Sequence, residues 1–157
     1  MNRLKKFTYT IPAGLWMVII FAFSHQPDDL SSKNNHFIAE LLRKIHISLF
    51  ENMDYELLNL LIRKAAHITE FLILFFLVYY AVKNICQNNW ELTSSIITLL
   101  YACSDEFHQL FIKGRAGRVQ DVLIDSMGII IGLIILKIIK IIKDKKKSSH
   151  MRKMGIQ

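Results

Sequence analysis

Hydrophobic and polar positions along the chain separate into blocks. Phe7 to Ser24 carries no charge, and Ala65 to Val82 carries only Glu70. Leu92 to Ser104 is uncharged but short, and Val119 to Leu136 is charged only at Asp121 and Asp125. A spanning helix needs about 20 mostly apolar residues. The first two blocks meet that length, and the other two meet it when their polar ends are counted. Helices apolar on every side belong in lipid rather than on the surface of a soluble domain. The pattern predicts an all-α integral membrane bundle of four transmembrane helices, near residues 7–25, 65–85, 92–111 and 119–140, with an amphipathic extracytoplasmic segment.

That segment lies in the one long connection, residues 25–62. Pro27-Asp28-Asp29 ends the first helix. Ser31 or Ser32 can cap a short helix that carries Phe37, Leu41, Ile45 and Leu49 on one face. Asp54 is placed to cap the next helix, which spans about 43 Å if it runs unbroken to Val82. NICQNNW, residues 84–90, forms the second connection, and IKGRAGR, residues 112–118, forms the third. Gly114 and Gly117 make the third turn adaptable and allow close backbone approach. Arg3, Lys5 and Lys6, the apolar run and Ala22-Phe23-Ser24 have the outline of a signal peptide. The length and bulk of the run, with Trp16 and several Phe, favour an uncleaved span instead. Cys86 and Cys103 fall at different depths, so two free thiols are expected rather than a disulfide.

Charge orients the bundle. The net charge of +7 is unevenly shared. The N-terminal flank, the second connection and the tail from Lys137 hold 12 basic and 2 acidic residues, against 8 basic and 11 acidic on the other side. Cytoplasmic loops carry the Lys/Arg excess, so both termini are predicted in the cytoplasm of a multi-pass cell-membrane protein. Residues 1–143 form the transmembrane domain and 144–157 a basic cytoplasmic tail that faces anionic lipid. The tail lacks aromatic interleaving or a recognisable motif for nucleic acid. Lys113, Arg115 and Arg118 sit in the outward loop against this bias, which points to another use for them.

Every block is polar at its outward end. Ser24 and Gln26 close the first. Arg63, His67 and Glu70 open the second at i, i+4 and i+7. Asp105, Glu106, His108 and Gln109 close the third. Asp121 and Asp125 open the fourth, and Gly128 and Gly132 continue their stripe in a pattern that lets helices pack closely. Ionisable groups at membrane depth mark a functional site by default. Three chemistries fit. His67, Glu70, Asp105, Glu106 and His108 are candidate acid–base groups. His67 with Glu70, and His108 with Asp105, offer paired ligands for a divalent metal, although no HExxH motif or cysteine pair is present. Arg63, Arg115 and Arg118 form a guanidinium clamp for an anionic headgroup, with Ser24, Gln26, Gln109, Asp121 and Asp125 as further ligand-binding candidates. The alternative is a structural charge network in which the basic groups neutralise the carboxylates.

IFAFSHQ (Ile20 to Gln26), RKAAHITEF (Arg63 to Phe71) and SDEFHQLFIKGRAGRVQDVLIDSMGIIIG (Ser104 to Gly132) occur in an order that resembles the VanZ-like family of membrane proteins. Ile112-Lys113-Gly114 departs from it where a proline is expected before the glycine, which affects turn stiffness more than chemistry. The resemblance implies a small bacterial multi-pass protein of the cell envelope. The family's namesake is associated with resistance to the glycopeptide teicoplanin, and no established reaction comes with it. Membrane lipids and a lipid-linked cell-wall precursor are the expected partners. A proton-coupled transporter or flippase and a non-catalytic scaffold are the competing functions.

Overall fold

A computed structural model describes residues 3–27, 35–41, 44 and 53–153, with side chains for 6–27, 35–41, 44 and 53–149. Four long helices stand out among them: α1 (Arg3–Ser24), α2 (Tyr55–Ile85), α3 (Trp90–Gln109) and α4 (Val119–Lys153). No strand occurs among the described residues. Ser31, Ser32, Ile45 and Leu49, used above to draw the outer amphipathic helix, lie outside them, as do Asp28 and Asp29. Residues 35–41 are helical. Phe37 and Leu41 are exposed there while Ala39 is buried. His36 pairs with Glu40 at 3.6 Å and lies 5.0 Å from the Tyr55 ring at the start of α2.

Local chemistry sets the helix ends. The Asp54 carboxylate accepts from the Glu56 and Leu57 amides, at 3.2 and 3.4 Å, and so satisfies donors that a first turn leaves open. At the far end of α2 the Cys86 amide bonds the Val82 carbonyl at 2.7 Å. Asn89 then takes a left-handed conformation, φ 57°, which turns the chain straight into α3. Trp90 Nε1 donates to the Cys86 carbonyl at 3.0 Å, and the Lys83 ammonium lies 5.5 Å from the Trp90 ring centroid. Cys86 and Cys103 are both free and exposed.

α2 is the central helix and packs against each of the other three. Ile20 from α1, Phe71, Leu74 and Val78 from α2 and Ala102 from α3 share one buried cluster. Two aromatic polar tips fix α1 to its neighbours: Trp16 Nε1 donates to the Glu70 carbonyl at 3.0 Å, and Tyr101 Oη donates to the Met17 carbonyl at 2.6 Å. In apolar surroundings such tips must find a partner, so these bonds select a register as well as adding affinity.

α4 meets α2 backbone to backbone. A Cβ at Gly128 would stand 2.5 Å from the Ile68 carbonyl oxygen and 2.7 Å from the Leu72 nitrogen. One at Gly132 would overlap the Phe75 ring. Both glycines are buried, so the small-residue stripe seen in the sequence is the seam itself.

Three of these helices are long and apolar enough to cross a membrane: Lys6–Ser24, Tyr55–Ile85 and Val119–Ser149. At most a third of each apolar window is buried inside the protein, 17%, 33% and 22% in turn. The remaining apolar faces, including Leu15, Val18, Ile130 and Ile134, point outward, as they do in lipid. α3 falls outside this group for a visible reason. Ser94, Thr98, Ala102, Asp105 and Gln109 form its buried face, while Leu92, Ile96, Leu100 and Phe107 are exposed. Apart from Glu91 and Ser104, its polar groups are buried or half-buried while its large apolar groups face out, which lowers its average hydropathy without making its outer surface broadly polar. α4 runs on past the expected span near 119–140 and takes in part of the tail: the helix continues through Lys153, with no glycine or proline between Gly132 and that end to stop it and with Leu and Lys as good helix formers.

The seam gives a paired prediction. Gly128→Val should lower stability by roughly 1–3 kcal/mol or more, because the added methyls meet backbone that cannot move aside. Gly14→Ala, where a Cβ meets nothing within 4 Å, should leave stability unchanged or raise it by less than about 1 kcal/mol. Thermal unfolding of the two variants in detergent micelles reads the contrast.

Candidate functional site

The loop between α3 and α4 builds the site by folding back on both neighbours. Gly114 turns it with φ 80°, a conformation that disfavours a side chain. Gly117 lies directly on the Glu106 carbonyl, leaving no space for a Cβ. The Arg118 amide then donates to Glu106 Oε2 at 3.1 Å, so this carboxylate is held by the residue that leads into α4. Arg115 reaches the other way. Its Nε donates to the Gln26 carbonyl at 3.0 Å, and Nη2 stands 3.5 Å from the Phe23 carbonyl. A guanidinium suits this position, since the last carbonyls of a helix have no partners within it and carry its partial negative charge.

Between loop and helices lies a cavity of about 290 Å³. α2 contributes Arg63, Lys64 and His67 to its wall. α3 gives Glu106 and Gln109, the loop gives Arg115 and Arg118, and α4 gives Gln120, Asp121 and Asp125. Four cationic side chains thus face three carboxylates and one imidazole. Asp125 is the most enclosed of the carboxylates, at 1% exposure. His67 Nδ1 lies 3.3 Å from its Oδ1, within ion-pair reach, yet neither Asp125 oxygen has a hydrogen-bond partner.

Eight of the residues singled out from sequence line this cavity: Arg63, His67, Glu106, Gln109, Arg115, Arg118, Asp121 and Asp125. The other five do not. Ser24 is buried at the end of α1 with its hydroxyl unpartnered. Gln26 enters through its carbonyl, as the Arg115 acceptor. Glu70 is half-buried, and its carbonyl takes the Trp16 bond. Asp105 is buried behind Gln109, whose Nε2 donates to Asp105 Oδ2 at 3.1 Å, while Oδ1 is unpartnered. His108 turns towards α1, where Nε2 lies 3.1 Å from His25 Nδ1 and the ring packs on Phe21 at 4.6 Å. Of the five candidate acid–base groups, His67 and Glu106 line the cavity, Glu70 and Asp105 lie outside its wall but within electrostatic reach of His67, and His108 turns away to α1. His67 and Glu106 meet, and the carboxylate that joins them is Asp125. The metal pairs expected from sequence are likewise regrouped, because a ligand set drawn from three helices cannot be read from spacing within one.

Three polar residues were passed over as site candidates. Lys64 and Gln120 line the cavity. His25 partners His108. Its signal was its place between Ser24 and Gln26 at the polar end of α1.

Arg115 is a positioning residue for α1. Arg115→Ala should cost roughly 1–2 kcal/mol of stability through the lost charge-assisted bonds, and Arg115→Lys should recover only part of it, because an ammonium cannot reproduce the fork. Chemical denaturation in micelles, monitored by tryptophan fluorescence, checks both.

Comparison with known proteins agrees with the order of motifs along the chain. No curated protein and no solved structure gives a match. The family model described as VanZ/LLP1 matches residues 9–140, well over half of the sequence. With three helices apolar enough to cross a membrane, the chain is a multi-pass membrane protein and belongs to the VanZ/LLP1 family.

Proposed function

We propose that this is a four-span cell-envelope protein whose outward-facing cavity binds the phosphate of a membrane lipid or lipid-linked wall precursor. The observation that carries this is the cation excess of the cavity wall, where Arg63, Lys64, Arg115 and Arg118 outnumber Glu106, Asp121 and Asp125. The Arg118 guanidinium in particular makes no ion pair among the described residues. Guanidinium groups match phosphate oxygens in bidentate geometry, and they gain strength where water is scarce.

The depth of the cavity fits the same ligand. It lies at the N-terminal end of α4 and the C-terminal end of α3, where apolar helix gives way to loop, so a headgroup could reach it with its chain still in the hydrocarbon. In this arrangement α3 is the fourth span, its polar face turned inward. The basic ends of α1 and α4 lie in the cytoplasm, following the distribution of Lys and Arg. Sequestering or masking a wall precursor is the route by which such a protein would alter glycopeptide susceptibility, including to teicoplanin.

Two outcomes are expected. In native mass spectrometry of gently purified protein, a polyprenyl phosphate should be retained by the wild type, and Arg118→Ala should weaken that retention about tenfold, in line with the loss of a charge-assisted contact of about 1.5 kcal/mol. Equal retention by Arg118→Ala and wild type would count against the cavity as the binding site. For topology, single cysteines at Gln120 and Ser149 in a background lacking Cys86 and Cys103 should react with an impermeant thiol reagent from opposite faces of the membrane, position 120 from outside.

A further inference from the structure

The inner wall of the cavity brings together three side chains from three helices. His67, Glu106 and Asp125 each offer one ligand atom, and these atoms lie within 4.8 Å of one another. One imidazole nitrogen with two carboxylate oxygens is a donor set shared by borderline divalent cations: imidazole suits zinc, and carboxylate suits manganese as well.

A purely structural His–Asp pair leaves one observation unexplained. Asp125 is buried to 1% exposure and lines the cavity, but both of its oxygens and His67 Nδ1 lack hydrogen bonds. Their separation of 3.3 Å is within ion-pair range but without hydrogen-bond alignment. A buried carboxylate in that state has its desolvation cost offset only in part, by the charge of one imidazole. A cation between the two groups removes it. The spacing also suits one, since the edge of a tetrahedron with metal–ligand bonds of about 2.1 Å is about 3.4 Å. Glu106 is already oriented for the third position. The Arg118 amide holds its Oε2 at 3.1 Å, an outer contact of the kind that fixes metal-binding carboxylates.

We propose that His67, Glu106 and Asp125 hold a divalent cation, Zn²⁺ or Mn²⁺, with a further coordination position open to the cavity. Three protein ligands and an open position characterise metal sites that bind a substrate or water oxygen rather than purely structural ones. The site goes beyond the headgroup proposal and stands without it.

The full chain, purified in detergent micelles and stripped with a chelator, is titrated with Zn²⁺ and with Mn²⁺, and bound metal is measured by elemental analysis. About one ion per chain is expected for the wild type. Affinity should fall at least tenfold in His67→Ala and in Asp125→Asn, and should be unchanged in His108→Ala, which disturbs only the contacts with His25 and Phe21. X-ray absorption of the zinc-loaded wild type needs no variant and guards against misfolding. It should show nitrogen and oxygen ligands with a single imidazole. No stoichiometric ion on the wild type, two imidazoles or a sulfur ligand, retention of the ion in both His67→Ala and Asp125→Asn, or its loss in His108→Ala would overturn the assignment. Polyprenyl phosphate retention by the stripped protein separates the two proposals: if it persists while no metal binds, only the cation site fails.

Discussion

The close approach of α4 to α2 is the constraint from which the site follows. Gly128 rests on the backbone of Ile68 and Leu72, and Gly132 rests on the Phe75 ring. Asp125 lies on the same stripe, three and seven residues before them. Once the glycines are seated, Asp125 has to face α2 one turn further along, where it meets His67 at 3.3 Å. In lipid there is no hydrophobic drive to bring two helices together, so close packing and polar contacts must do it. The apolar half of the seam supplies the packing, and the polar half supplies a buried carboxylate that water cannot easily reach.

The other two walls depend on this seam less than on the loop. Gly117 and the Arg118 amide fasten the loop to Glu106, and Arg115 fastens it to the end of α1. The loop therefore bridges three helices while holding its own basic groups against the cavity. Arg115 serves both structure and lining: its guanidinium holds the end of α1 and forms part of the cavity wall. Arg118 divides its roles by atom: its amide orients Glu106, and its guanidinium is left for the cavity.

Much of this was legible in the sequence. Apolar block length located α1, α2 and α4, and the i, i+3, i+7 stripe of Asp125 with the two glycines marked the seam. The Asp54 cap was legible because capping is a local event, and so was the gathering of polar helix ends, since each end was visible by itself. What could not be read was which polar groups share a wall. Glu70 stands on the His67 face of α2 by spacing, yet it lies outside the cavity. Asp105 is screened by Gln109, and His108 is drawn to His25. Those outcomes depend on the rotation of α3 against α1 and α2, set by Tyr101 on the Met17 carbonyl and Trp16 on the Glu70 carbonyl. Long-range contacts of this kind leave no periodic trace. The hydropathy of α3 does not by itself assign the helix, because an average cannot distinguish an inward polar face from an outward one.

The length of α4 has a mechanical meaning. At 35 residues it is about 52 Å long, against about 30 Å of hydrocarbon. With no glycine or proline beyond Gly132, that half has no ready hinge, and it behaves as a stiff shaft. Rotation applied at the lysine-rich end would be delivered along the shaft to the seam, and with it to the angle at which Asp125 is presented to His67.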